Sequence, residues 1–126
     1  MVGRKNTGME RRYPIGAEIV GENETHFRVW APKAKKLAVV LDNKTYPLAG
    51  EAGGYIAGTA HCGAGAHYKL QIDDGAAFPD PASRFQPEGP HGPSCVVDHF
   101  SFKWTDANWR GVKLASQIIY EMHIGT

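Results

Sequence analysis

His67-Tyr68-Lys69-Leu70-Gln71-Ile72 is the stretch that decides the fold class. Tyr68, Leu70 and Ile72 take every second place, with His67, Lys69 and Gln71 between them. A period of two predicts a strand with one apolar and one polar face. Asp73-Asp74-Gly75 follows at once, with Asp74-Gly75 as the tight turn before Phe78. Gly63-Ala64-Gly65 lies upstream. A dinucleotide loop needs a strand before it and a helix after; here a strand follows, so the cluster reads as a hairpin turn.

The same grammar continues outward. In Thr25-His26-Phe27-Arg28-Val29-Trp30-Ala31, one face carries Phe27, Val29 and Ala31 and the other His26, Arg28 and Trp30. Leu37-Ala38-Val39-Val40-Leu41 is a β-prone apolar run expected to be buried on both faces, and Tyr55-Ile56-Ala57-Gly58-Thr59-Ala60 is a further strand. Ala31-Pro32, Asp42-Asn43-Lys44 and residues 50–54 punctuate them with turn chemistry. Short strands at this spacing, with almost no helical period, predict an all-β fold: an immunoglobulin-like antiparallel β-sandwich without the Cys…Trp…Cys pattern of true immunoglobulin domains.

From Phe78 the chain turns rich in Pro and Gly: Phe78-Pro79-Asp80-Pro81-Ala82-Ser83-Arg84-Phe85-Gln86-Pro87-Glu88-Gly89-Pro90-His91-Gly92-Pro93-Ser94. Each proline removes a backbone donor and fixes φ, which excludes a helix or a central strand. Phe78, Arg84 and Phe85 order the stretch, so it reads as a rigid loop laid over a surface. The last run, Ile118-Ile119-Tyr120-Glu121-Met122-His123-Ile124, is the most strand-like apolar segment of the chain. Such a strand is expected to belong to something that follows it, and to pair edge to edge and dimerise when nothing does.

Composition sets the class. The 126 residues suffice for one domain, and 42% hydrophobic with 21% charged residues marks a folded globular chain. A net charge of +1 makes no electrostatic case for nucleic acid or an anionic membrane. No apolar run approaches the roughly 20 residues that span a bilayer. Residues 1–12 lack a signal-peptide core, so a flexible lead-in and a cytoplasmic location are expected. Cys62 and Cys95 read as partly buried free thiols, with a single bridge as the alternative.

Candidate chemistry is sparse. Asp73, Asp74, Asp80, Glu88 and Asp98 supply carboxylates, but in turn and loop positions where Asp serves the backbone. His91, Cys95 and His99 are four apart, and His61, Cys62 and His67 lie close together. Gly92 and Pro93 forbid the helix that would align the first set, so no metal site and no cofactor is expected. No nucleophile with a base and an orienting partner is evident, so this stretch by itself is not expected to be an enzyme.

Four segments then fall into one order: Ile15-Gly16-Ala17-Glu18; Phe27-Arg28-Val29-Trp30-Ala31-Pro32; Asp80-Pro81-Ala82-Ser83-Arg84-Phe85-Gln86-Pro87 with His91-Gly92-Pro93-Ser94; and Ile119-Tyr120-Glu121-Met122-His123-Ile124-Gly125-Thr126. Together they resemble the opening of α-amylase superfamily enzymes that carry an N-terminal sandwich. The third segment resembles the maltooligosyltrehalose trehalohydrolases in particular. The resemblance implies a non-catalytic N-terminal accessory domain over residues 13–100, and a linker and first barrel strand over residues 101–126. The carboxylates that cleave the glycosidic bond would then sit on a (β/α)8 barrel beyond this chain. Arg84, Phe85, His91 and Tyr120 are implied to pack against that barrel, the chain's own partner. A carbohydrate-binding module for glycogen or maltooligosaccharides is the alternative function, as is the N-terminal domain of a branching or debranching enzyme. Related glycogen-binding modules imply sugar contacts from Lys69 and Phe78, but have an aromatic where this chain has Asn43 and Lys44, with Tyr46 the nearest. Trp30, Trp104 and Trp109 are expected in core or interdomain packing.

Overall fold

A computed structural model describes residues 11–125. Its strands are β1 (Gly16–Gly21), β2 (Glu24–Trp30), β3 (Leu37–Leu41), β4 (Lys44–Pro47), β5 (Ala49–Gly50), β6 (Tyr55–Ala60), β7 (His67–Ile72), β8 (Ala77–Phe78) and β9 (Ser94–Cys95). They form two antiparallel sheets, one in the order β1-β2-β6-β5 and the other β4-β3-β7-β8, with β9 also paired to β7. This is the expected all-β sandwich.

Its core is the sum of the inward-facing alternate residues. Ala17, Phe27, Val29, Ile56 and Ala60 come from the first sheet and Leu37, Val39, Leu41, Tyr68 and Leu70 from the second. Phe27 and Tyr68 meet across the gap, ring centroids 4.9 Å apart and edge to face. Such a pair adds roughly 0.5–1.5 kcal/mol beyond the area it buries.

Several local expectations are corrected. β3 is not buried on both faces: Leu37, Val39 and Leu41 are buried, but Ala38 and Val40 only partly. Antiparallel sheets of a two-layer domain leave one face outward, so the apolar run overstated its burial. Ile72 belongs to the apolar stripe but is 42% exposed, because the strand ends there. The turn after β7 is centred one residue earlier than expected: Asp73 (φ 50) and Asp74 (φ 59) are its middle, and the Gly75 N–H closes it on the Ile72 carbonyl at 2.9 Å. The stretch 63–65 is no hairpin turn, since it carries the chain from β6 in one sheet to β7 in the other. Residues 118–124, expected to pair with something outside this sandwich, lie exposed and form no strand within it. A strand needs a ladder partner, and none of the described residues offers one there. Trp30, Trp104 and Trp109, expected in core or interdomain packing, are exposed, which rules out the core.

Candidate functional site

The proline-rich stretch is an ordered loop pinned at both ends. Asp80, 3% exposed, accepts from the Tyr68 hydroxyl at 2.8 Å and from the Ala82 N–H at 2.8 Å. The Asp80 N–H donates to the Ser94 hydroxyl at 2.9 Å, and the Cys95 N–H to the Phe85 carbonyl at 2.9 Å. Burial and the Asp80 carboxylate push the Tyr68 phenol well above its ordinary range, so it stays a donor. Asp80 is thus a structural acceptor that the sequence treated as an ordinary loop carboxylate.

From this loop Arg84 reaches the free edge of β1. Its guanidinium donates to the Ala17 carbonyl at 2.9 Å and the Ile15 carbonyl at 3.1 Å, and lies 4.5 Å over the Tyr13 ring. Gly16, at φ +88, makes room: a Cβ there would come within 2.7 Å of Arg84 Nη1. Two of the quoted segments, residues 15–18 and 80–87, are therefore each other's partners.

The outer face of the first sheet is partly covered rather than open. Arg11 Nη1 donates to His26 Nδ1 at 2.8 Å and to the His26 carbonyl at 3.0 Å, and Nη2 to the Gly16 carbonyl at 2.8 Å. Glu18 accepts from the Arg12 N–H at 3.0 and 3.1 Å and from the Tyr13 N–H at 3.3 Å, with Arg11 at 3.9 Å. Glu18 and His26 are 5% exposed, so residues 11–13, read from the sequence in part as lead-in, cover them. Residues 1–10 of that lead-in lie outside the described residues. Burial, then the Arg11 charge, holds the His26 imidazole below its usual pKa, and burial lowers that of Arg11. Arginine can only donate, so His26 Nδ1 must be unprotonated here. The entry and exit of the domain meet at this edge, with Tyr13 against His99 (5.1 Å) and Arg12 over Phe100 (4.7 Å). Period-two alternation put His26 and Arg28 on this face, but nothing in the sequence marked it as covered.

The residues implied to hold sugar are separated. Lys69 pairs with Val40 and faces outward, whereas Phe78 pairs with buried Leu70 and so lies on the opposite side of the sheet. Phe78 is nonetheless 56% exposed, on the two-residue edge strand β8. On the Lys69 side an open groove of about 380 Å³ is lined by Lys36, Ala38, Thr45, Pro47, Gln71 and Asp74 among others, and Lys69 is not among them. Phe85, His91 and Tyr120 stand exposed, while Arg84 is engaged within the chain.

The other chemical candidates take structural partners. Asp73 accepts from the Lys35 and Lys36 N–H groups at 2.8 Å each, and Asp74 pairs with Lys36 at 2.6 Å. Glu88 lies 3.7 Å from His67, and Asp98 accepts from the Phe100 N–H at 2.9 Å. Cys62 and Cys95 are free thiols, and burial raises the pKa of Cys62. Among the described residues no group of three or more His, Cys, Asp or Glu is placed to hold a metal ion. No helix among them is long and apolar enough to cross a membrane.

No family model matches the sequence. Individual relatives do. The malto-oligosyltrehalose trehalohydrolase of Deinococcus radiodurans is 40% identical over 121 residues, 95% of this chain and 20% of that protein. The chain is homologous to the N-terminal region of the maltooligosyltrehalose trehalohydrolases. A second trehalohydrolase, from Saccharolobus solfataricus, is 39% identical over 83% of this chain and 19% of its own length. The 1,4-alpha-glucan branching enzyme GlgB 2 of Xanthomonas oryzae is 32% identical over 89% of this chain and 18% of its own. Among solved structures, a putative alpha amylase from Salmonella typhimurium superposes with a TM-score of 0.73 at 33% identity, covering 79% of this chain and 17% of that one. The chain thus spans about a fifth of the trehalohydrolases it matches.

Proposed function

We propose that this chain is the non-catalytic N-terminal accessory domain of an α-glucan-acting glycoside hydrolase of trehalohydrolase type, whose full length releases trehalose from maltooligosyltrehalose. The supporting observation is the match of 95% of this chain to a fifth of a trehalohydrolase at 40% identity. The catalytic work falls to the remaining four-fifths of such an enzyme. This domain contributes packing: the Arg84 latch fixes the loop of residues 79–95, and Phe85, His91 and Tyr120 offer exposed side chains to a neighbouring barrel.

A chimera tests it. The matching fifth of the Deinococcus radiodurans enzyme is replaced by this chain, and trehalose release from a maltooligosyltrehalose is measured. Activity within about ten-fold of the parent supports the reading. A folded chimera that releases no trehalose, beside an active branching-enzyme chimera built the same way, would assign the domain to the branching enzymes instead.

A further inference from the structure

Trp30 ends β2 on the outer face of the first sheet, opposite Tyr55 of β6. It is 62% exposed, yet it is not loose. Its indole N–H donates to the Gly53 carbonyl at 3.2 Å, which fixes the ring against the turn of residues 52–54. Arg28, two residues back on the same face, lies 3.6 Å over the Tyr55 ring. Its Nε donates to Glu51 Oε2 at 2.7 Å and its Nη1 to the Pro14 carbonyl at 2.6 Å. The Glu51 N–H in turn donates to the Tyr55 carbonyl at 2.7 Å. An aromatic plane is thus held beside an oriented carboxylate and guanidinium before any ligand arrives.

That combination suits one ligand class. A pyranose has an apolar C–H face that stacks on an aromatic ring and a rim of hydroxyls that both donate and accept. Glu51 Oε1 and Arg28 Nη2 are not used in the bonds above. Arg28 and Trp30 are two strand positions apart, about 6.8 Å, on the order of one sugar ring. Pre-organised side chains lose little entropy on binding. We propose that Trp30, with Tyr55, Arg28 and Glu51, forms a stacking subsite for an α-glucan, on the opposite sheet from Lys69. The choice of α-glucan rests on the function proposed above; the platform itself does not.

The test is a two-dimensional NMR titration of the whole chain with maltoheptaose, with cellohexaose as the β-linked control. Saturable millimolar shifts at the Trp30 indole N–H, Arg28 Nε–H and Tyr55 amide are expected. Intermolecular NOEs from the sugar C–H protons to the Trp30 ring should appear in the unmodified chain. Trp30→Leu should weaken binding at least ten-fold; should that variant misfold, Glu51→Ala and the NOEs still decide. Shifts confined to Lys69, Gln71 and Thr45 would overturn the subsite while keeping a glucan-handling domain. Equal shifts with cellohexaose would overturn the α-glucan choice. No shift with either sugar would make Trp30 a packing residue, and the chimera result would stand independently.

Discussion

His26 shows how a single residue's environment sets its chemistry. The alternation placed it on the polar face of β2, where a histidine would ordinarily be solvated. Instead it is buried and faces Arg11 from the lead-in, Glu18 from β1, Arg28 from its own strand and Glu51 ahead of β6. Its folded pKa is depressed, so the unfolded chain binds more protons as acid is added. The resulting stability is fully present above the unfolded value near 6.5 and is lost as pH falls through the folded value. An NMR titration of the histidine ring protons should give His26 a midpoint below 6.5. Below that midpoint the Arg12 and Tyr13 amides should exchange faster as Arg11 is repelled. Arg11→Met should move the midpoint part of the way back toward 6.5, because it removes the charge while keeping most of the cover. A midpoint at or above 6.5 would mean that Arg11 does not hold the imidazole.

Among the elements, β1 is the one whose edge needs explanation. A bare strand edge is a template for pairing, and here Arg84 occupies the outward carbonyl of Ala17 and that of Ile15 just before the strand. Arg84→Met should cost about 1.5–3 kcal/mol in denaturant unfolding, the range for a lost hydrogen bond with a charged group. Gly16→Ala should cost at least as much, from its positive φ and from the clash with Arg84. Because both changes break one contact, the double variant should cost less than their sum. Additivity within about 0.5 kcal/mol would show that the two residues do not act together. Strands β2, β3, β6 and β7 were legible because each alternates or is apolar and is bounded by turn residues. Strands β4, β5, β8 and β9 were not, since two to four residues carry too little period to distinguish them from loop. Arg84 was legible as an ordering residue but not as an edge cap, because its partners are carbonyls 67 and 69 positions away, which carry no side-chain signature.

For the whole molecule, the described residues divide into a packed sandwich and an exposed stretch from Phe100 onward. Phe102, Trp104, Trp109, Ile118, Ile119 and Ile124 are all exposed, Ile118 at 97%. None contributes to the core, so a variant ending at Ser101 should melt within a few degrees of the intact chain. The intact chain should associate in sedimentation velocity at high concentration and the shortened one should not. A strictly monomeric intact chain would refute association through residues 118–124. What the sequence determined by itself was the fold class and the kinship, because strand period, turn chemistry and motif order are local properties written in consecutive residues. What only the tertiary structure decided was which surfaces remain for use. Register put Lys69 and Phe78 on opposite faces, the lead-in covered Glu18 and His26, and Trp30 was left in solvent beside Arg28 and Tyr55. Each of those outcomes depends on which distant segment packs against a face, and no run of consecutive residues encodes that.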